Sequence, residues 1–170
     1  MLTPPKQGEY GDYYQTYIDR VKDKDIRSLL LSQIGELEGI YRQLTEEKAA
    51  VPYKEGKWTY KELLGHLNDT EKIMFFRALC IARGEKASLP GFDQDTYVRH
   101  ADFNTVPNHD LLVDFRLGRE QIVSFIKTAP QKRINVVGLV NGQPMSVTAL
   151  LHIIVGHFAH HLEIIKILPR

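Results

Sequence analysis

The chain has 170 residues, 43% hydrophobic and 25% charged, which suits a single globular domain over residues 1–170 and excludes a mainly disordered chain. Because 22 basic residues balance 21 acidic ones, the net charge of +1 gives no reason to expect a nucleic acid or a membrane surface as partner. The single cysteine, Cys80, excludes an internal disulfide and fits a cytoplasmic protein, and neither a signal peptide nor a run of ~18 apolar residues is apparent.

The first part of the chain predicts a short helix followed by a long one. An aromatic-rich stretch over residues 10–21 predicts the short helix, and the charged residues 22–25 end it. Asp25 is a plausible N-cap, because its carboxylate can accept hydrogen bonds from free amides of a first helical turn. The long amphipathic helix is expected to run to about Ala50, before a loop over residues 51–57. Its apolar positions recur at three- and four-residue spacing: Leu30, Ile34, Leu37, Tyr41 and Leu44.

A second long helix has a clear start signal. Thr59 and Glu62 form the pattern of a capping box, in which the threonine caps the helix and the glutamate reaches back from three residues later. We expect this helix to run to Gly84, because glycine is a natural C-terminal stop. Residues 85–106 then form a long connection with a turn of helix around 94–100, and connections of this length are commonly functional.

The second half of the chain predicts two further long helices, over residues 108–128 and 146–168. Between them, residues 134–147 are rich in β-branched side chains, and Asn141-Gly142 is a type I′ turn signal, so this stretch predicts a small hairpin. Four long amphipathic helices with short excursions predict an all-α protein, namely an up-down four-helix bundle with a short extra N-terminal helix.

Four of the seven histidines lie within ten residues of one another on the last predicted helix: His152, His157, His160 and His161. Because each helical residue turns by about 100°, His157 and His161 lie within about 40° of each other, on the most apolar stripe. His152 lies about 140° away and is expected to be exposed, and His160 lies at the border. Two imidazoles one turn apart on a buried face can bind one metal ion, or can hydrogen-bond to polar groups of the core.

A third histidine, His66, lies about two turns into the second long helix. Its helix face carries polar side chains beside apolar ones, as expected of a site wall between facing helices: Glu62, Leu63, Asp69, Thr70 and Ile73. Three histidines leave one coordination position open, which is typical of catalytic rather than structural metal sites. Phe158 stands where a zincin helix has its glutamate base. The candidate general bases are therefore Asp69 and Glu62, which could instead orient the imidazole or be solvated.

Three stretches of the chain resemble the helices of the DinB-like superfamily, which includes the YfiT-like proteins. They are GKWTYKELLGHLNDTE (residues 56–71), FRALCIARG (76–84) and GHFAHHLEII (156–165). The resemblance implies a four-helix bundle in which His66, His157 and His161 bind a divalent metal, zinc or nickel. It also implies a homodimer that acts on a small molecule. Such relatives include transferases of low-molecular-weight thiols such as bacillithiol, a mycothiol-dependent isomerase and metal-dependent hydrolases.

Three functions are compatible with these residues. The first is a metal-dependent transferase, in which the metal holds a low-molecular-weight thiol as thiolate and presents it to an electrophile. The second is a metal-dependent hydrolase with metal-bound hydroxide as nucleophile. The third is a non-enzymatic bundle in which the metal is structural or the pocket binds a small molecule.

Several other residues have predicted roles around this site. We expect Trp58 to act as an aromatic staple at the start of its helix rather than as a pocket wall. Tyr97 and His100 in the long connection could cover the metal, and Cys80 is expected in the core. Four arginines could contact an anionic thiol cofactor, although surface ion pairs are the commoner role: Arg77, Arg83, Arg116 and Arg119.

Overall fold

The computed structural model describes residues 2–52 and 54–167. Tyr53 of the predicted loop and Leu168, where the sequence predicts the last helix to end, lie outside the described residues. The helices and strands follow one another as α1 (Gln15–Asp19), α2 (Ile26–Tyr41), α3 (Glu46–Ala49), α4 (Tyr60–Ala82), α5 (Gln94–Ala101), α6 (Asn108–Thr128), α7 (Gln131–Ile134), β1 (Val137–Val140), β2 (Gln143–Ser146) and α8 (Val147–Ile167). Short 3-10 helices occupy Asp12–Tyr14 and Phe103–Thr105.

The first long helix, α2, is shorter than the sequence predicts. It begins as expected, because the Asp25 carboxylate accepts a hydrogen bond at 3.2 Å from an amide of the first turn. It ends at Tyr41 instead of continuing to Ala50. A second cap interrupts it, since the Thr45 hydroxyl accepts from the Lys48 amide at 3.3 Å and starts α3.

The second long helix, α4, begins with the predicted capping box. The Thr59 hydroxyl accepts from the Glu62 amide at 3.0 Å, and the Glu62 carboxylate accepts from the Thr59 amide at 2.8 Å. The helix ends at Ala82, and Gly84 then has a φ of 95°, a conformation that favours glycine. Cys80 is half-buried against the core rather than fully buried.

The predicted hairpin is present between α7 and α8. Strands β1 and β2 pair antiparallel, and the two turn residues, Asn141 and Gly142, have φ values of 50° and 73°. Positive φ at both central positions is what a type I′ turn requires, which explains the Asn-Gly pair. Val140 and Met145 are buried, so the hairpin is stabilised by packing against the helices.

The four long helices form the predicted four-helix bundle, with an order of neighbours that the sequence does not reveal. Around the bundle, α2 packs against α6, α6 against α4, α4 against α8, and α8 against α2. Asn68 contacts Leu111 and Lys72 contacts Asp114, at 3.0 and 2.6 Å, so the contacts advance in the same order along both helices. Consequently α4 and α6 run parallel, and directions do not simply alternate. Residues 83–107 make this possible, because a parallel neighbour requires a connection that returns the chain along the bundle.

Helix α8 forms the core of the bundle, and residues 147–158 are all buried. Its length and mean hydropathy of 1.3 would suit a membrane span, but 72% of that stretch is buried inside the protein, as in a core helix. The prediction that His152 is exposed is wrong, since this side chain is 0% exposed. The N-terminal segment covers that side of α8, where the Thr148 hydroxyl donates to the Thr3 carbonyl at 2.7 Å.

A buried ion pair joins three of the helices at the centre of the bundle. Arg119 on α6 donates from Nε to Glu71 Oε2 on α4 at 2.7 Å, and from Nη1 to Gln33 Oε1 on α2 at 2.6 Å. Its guanidinium also lies over the rings of Phe115 and Phe158, 4.7 and 5.0 Å from their centroids. The expectation of a surface ion pair is therefore wrong for Arg119, which is completely buried.

Candidate metal centre

The three histidines selected from the sequence meet between α4 and α8. The Nε2 atoms of His66 and His157 are 3.2 Å apart, and those of His157 and His161 are 3.1 Å apart. One nitrogen from each ring lies within 4.8 Å of the others. Nitrogen ligands at about 2.05 Å from one tetrahedral ion lie about 3.3 Å apart, so the observed separations match those of a shared ion.

Burial keeps all three imidazoles in the neutral form that binds metals. Desolvation lowers the pKa of His66 from 6.5 to about 4. Desolvation, together with the neighbouring His66 and His160, lowers the pKa of His161 to about 3. The pKa of His157 is well below its usual value for the same reason, with the other histidines and Arg119 adding to the effect. At neutral pH an arriving cation would therefore displace no protons from these rings.

Neighbouring side chains orient two of the three rings. The Thr70 hydroxyl lies 3.4 Å from His66 Nδ1, one helical turn further along α4. The ring of Trp58 lies 4.7 Å from that of His66, so Trp58 forms part of the site and is not only a helix staple. The ring of Tyr17 meets His157 edge-on at 5.4 Å. The Nδ1 atoms of His157 and His161 are buried and make no hydrogen bond within the part of the chain that the structure describes.

Helix α1 brings Tyr17 to the site through a close contact between backbones. A Cβ atom added at Gly156 would lie 2.1 Å from the Tyr17 carbonyl oxygen, so only glycine allows α1 to approach α8 this closely. Tyr17 is a site residue that the sequence pattern does not predict. The available signals were the aromatic-rich N-terminal stretch and a glycine directly before His157, and neither pairs the two segments.

A cavity of about 440 Å³ opens beside the histidine cluster. Its walls come from the N-terminal segment, α4, α8 and the connection after α4: Tyr13, Tyr14, Tyr17, Thr70, Met74, Phe92, Gln94, Ile153, His157, His160 and His161. This volume lies within the range of small-molecule pockets. The long connection thus borders the site through Phe92 and Gln94. Tyr97 packs on the Phe92 ring at 5.4 Å, and His100 is exposed and bonded to the Thr96 carbonyl.

Neither predicted general base belongs to this cluster. Glu62 accepts hydrogen bonds from the Thr59 amide and from Asn104 Nδ2, which hold it in the helix cap. Burial raises the pKa of Asp69, and the charges nearest to its carboxylate are Lys72 and Asp114, on the side of α4 that faces α6. Among the described residues, no carboxylate lines the 440 Å³ cavity. A catalytic role for either carboxylate stays a prediction without support from a contact.

Comparison with known proteins assigns the chain to a family. The sequence profile of the DinB superfamily matches residues 30–165, which include all three histidines. The chain belongs to this superfamily. It is 29% identical over 126 residues to a protein of Oceanobacillus iheyensis, and the alignment covers 73% of this chain and 72% of that protein. That relative is named as a metal-dependent hydrolase, an assignment that its name marks as provisional.

The fold is also similar to a solved structure. YfiT from Bacillus subtilis superimposes with a TM-score of 0.77 over 95% of this chain and 89% of its own, at 15% sequence identity. That protein is described as a probable metal-dependent hydrolase with an unusual four-helix bundle topology. At this identity the similarity supports the fold alone.

Proposed function

We propose that this protein is a divalent-metal-dependent hydrolase that acts on a small molecule. The observation that carries the proposal is the meeting of three neutral imidazoles at the edge of a 440 Å³ cavity. Two of them, His157 and His161, line the cavity directly, so a substrate in it would lie next to the ion. The name of the relative from Oceanobacillus iheyensis supports hydrolysis as the reaction.

The donor set fits zinc or nickel. Imidazole nitrogens are ligands for both metals, and three of them leave at least one position open for a substrate. A divalent ion held there supplies Lewis acidity, which polarises a carbonyl group or lowers the pKa of water. The chain's own contribution is to hold three neutral rings in place before the ion arrives. The Thr70 hydroxyl lies 3.4 Å from His66 Nδ1, the tilted ring of Trp58 packs against that of His66, and Tyr17 packs against His157.

Transfer of a low-molecular-weight thiol is the second candidate, and one observation favours it. A hydrolase benefits from a general base that removes a proton from water, yet no carboxylate among the described residues lines the 440 Å³ cavity; Asp95 lines a separate cavity on another side of His161. A thiol needs no such base, because a thiol that binds a metal ion loses its proton directly. A hydrolase would therefore benefit from a general base in addition to the three histidines, whereas a thiol transferase would not need one.

The metal content of the wild type and of two histidine variants tests the proposal. The purified protein is expected to hold about one zinc or nickel ion per chain, and His161→Ala is expected to lose it, since two nitrogens bind much more weakly than three. His109→Ala, at an exposed histidine on α6, is the matched control and should retain the metal. A metal-free wild-type protein, or an unchanged metal content in His161→Ala, would contradict the proposal.

Activity assays then separate the candidate reactions. The zinc-loaded protein is incubated with p-nitrophenyl acetate and with an epoxide, each with and without bacillithiol or glutathione. Ester cleavage that needs no thiol supports the hydrolase, and epoxide opening that requires the thiol supports the transferase. A fall in melting temperature on chelation, without turnover of either substrate, would indicate a structural metal.

A further inference from the structure

Two buried arginines of this bundle have very different partners. Arg119 is 0% exposed and forms a bidentate ion pair with Glu71. Arg77, on α4, is 3% exposed, yet it forms no ion pair with any described carboxylate. Its Nη2 donates to the Pro90 carbonyl at 2.7 Å, and its Nη1 contacts the Met74 sulfur at 3.5 Å. Both of these partners are neutral.

A buried guanidinium without a counter-ion is unfavourable, because an arginine cannot lose its charge in a protein. Burial lowers the pKa of Arg77, and the neighbouring Tyr14 and Tyr97 side chains oppose this shift without forming an ion pair. Among the described residues, the hydrogen-bond partners of this side chain are the Pro90 carbonyl and the Met74 sulfur, although a guanidinium carries five N–H groups. The remaining donors and the uncompensated charge suit an anion that the chain itself does not provide.

Arg77 lies next to the cavity at the metal centre, in contact with residues that line it, but is not itself one of the lining residues. Met74 and Phe92 line that cavity, and the Arg77 guanidinium lies 5.5 Å from the centre of the Phe92 ring. Tyr14 lines it as well; burial raises the pKa of Tyr14, and Arg77 is near enough to oppose this shift. An anion that reached Arg77 would therefore also touch the aromatic wall of the cavity.

Arg77 and the histidine cluster share one face of α4. Arg77 lies eleven positions after His66, which corresponds to about 16 Å along the helix and a rotation of about 20°. Thr70 and Met74 lie between them on the same side and line the cavity. A long, narrow molecule could therefore extend from one end of this row of side chains towards the other.

We propose that the cavity binds a small organic carboxylate with an aromatic or apolar body, and that Arg77 holds the carboxylate group. The apolar body lies against Tyr14 and Phe92, and the other end of the molecule extends towards His157 and His161. A carboxylate fits better than a phosphate, because one guanidinium offers a single charge and two parallel N–H groups. This inference names the substrate class of the proposed metal enzyme and in that respect rests on the proposed function.

Calorimetric titration with matched acids and amides tests the inference. The ligands are phenylacetate, 3-phenylpropionate and 4-phenylbutyrate, each compared with its uncharged primary amide, on metal-free and zinc-loaded protein. At least one acid is expected to bind at least ten times more tightly than its amide. In Arg77→Met the affinity for that acid should fall at least tenfold and the affinity for the amide should not change. Arg83→Met, which removes an exposed arginine from the end of the same helix, should bind like the wild type.

Arg77→Lys keeps the test decisive if Arg77→Met does not fold. Lysine retains the charge but not the fork of donors, so this variant should bind the acid several times more weakly than the wild type. The inference is overturned if none of the acids binds better than its amide, or if the substitutions at Arg77 leave acid binding unchanged. Acid binding that depends on Arg77 in a protein that takes up no zinc would refute the proposed function alone. Zinc uptake without such binding would refute this inference alone.

Discussion

At the level of single residues, the orientation of His66 depends on Thr70. We expect Thr70→Val to lower zinc affinity about tenfold, since removing a group that orients a ligand typically weakens metal binding by ~10–100-fold. The threonine hydroxyl lies 3.4 Å from His66 Nδ1 and is buried, and valine has nearly the same shape. Competition with a chromogenic chelator would measure the change.

Thr128→Val is the control for this experiment. The Thr128 side chain is exposed, and its hydroxyl donates to the Ser124 carbonyl of its own helix at 3.0 Å, far along the chain from the cluster. This variant should bind zinc like the wild type. Equal affinity of Thr70→Val and wild type would show that His66 is held by packing against Trp58 alone.

The depressed pKa of His66 makes the stability of the metal-free protein depend on pH. Above pH 6.5 the ring is neutral in both the folded and the unfolded chain and contributes no dependence. Below 6.5 the unfolded chain binds a proton that the folded chain excludes, so stability decreases as the pH falls towards 4. The loss from His66 is on the order of 3 kcal/mol across this window. Urea unfolding at pH 7.5, 6 and 5 would measure it, and His66→Leu should have the shallower dependence.

The sequence indicates the site residues to different degrees. Helical periodicity suffices to place His157 and His161 on the apolar face of their helix, because it depends only on spacing. The mixed polar and apolar helix face around His66 made it a candidate, but only the resemblance to a family implied that it shares one metal ion with His157, 91 positions later, since nothing local says that the two helices face each other. Tyr17 and the unpaired state of Arg77 depend on tertiary contacts between the N-terminal segment, α4 and the long connection, and local patterns do not encode these.

At the level of secondary structure, the contact between α1 and α8 depends on Gly156. In Gly156→Ala the new Cβ would meet the Tyr17 carbonyl oxygen at 2.1 Å, so α1 must move away. We expect a loss of about 1–3 kcal/mol in the free energy of unfolding, as for other overpacked positions. Urea denaturation would measure this loss.

Gly35→Ala provides the comparison, because a Cβ there meets nothing within 4 Å on the exposed side of α2. Alanine is a better helix former than glycine, so this variant should gain about 0.5–1 kcal/mol. If Gly156→Ala were as stable as Gly35→Ala, the close approach of the two backbones would not exist in solution.

Most helix boundaries follow from local signals alone, and the early end of α2 is accompanied by a tertiary contact as well. The capping box at Thr59 and the Asn-Gly turn at 141–142 are local, and both appear as predicted. The apolar repeat of α2 continues through Leu44, so periodicity alone predicts one long helix. The chain instead turns at Thr45, whose hydroxyl caps α3, and Glu46 of α3 pairs with Lys61 of α4 at 2.6 Å. A contact with another helix is not visible in the local pattern.

At the level of the whole molecule, the buried ion pair at the centre links three of the four long helices. Arg119, Glu71 and Gln33 join α6, α4 and α2, and the parallel course of α4 and α6 places the first two opposite each other. Because the three helices share one buried charged group, we expect the metal-free protein to unfold in a single transition. The apolar pattern of the sequence predicts four long helices, but it reveals neither their order around the bundle nor the position of this ion pair.

Removing the anion of this pair should destabilise the bundle far more than breaking a surface pair. In Glu71→Gln the guanidinium of Arg119 stays buried without a counter-ion, and the expected loss is about 3–5 kcal/mol of unfolding free energy. Lys72→Gln breaks the pair with Asp114, whose side chains are 52% and 40% exposed, and should change stability by less than about 1 kcal/mol. The double variant Glu71→Leu, Arg119→Met removes both charges and should be more stable than Glu71→Gln, because no buried charge remains. If Glu71→Gln matched Lys72→Gln in urea unfolding, water would have to reach Arg119, and the pair could not be the central link between the three helices.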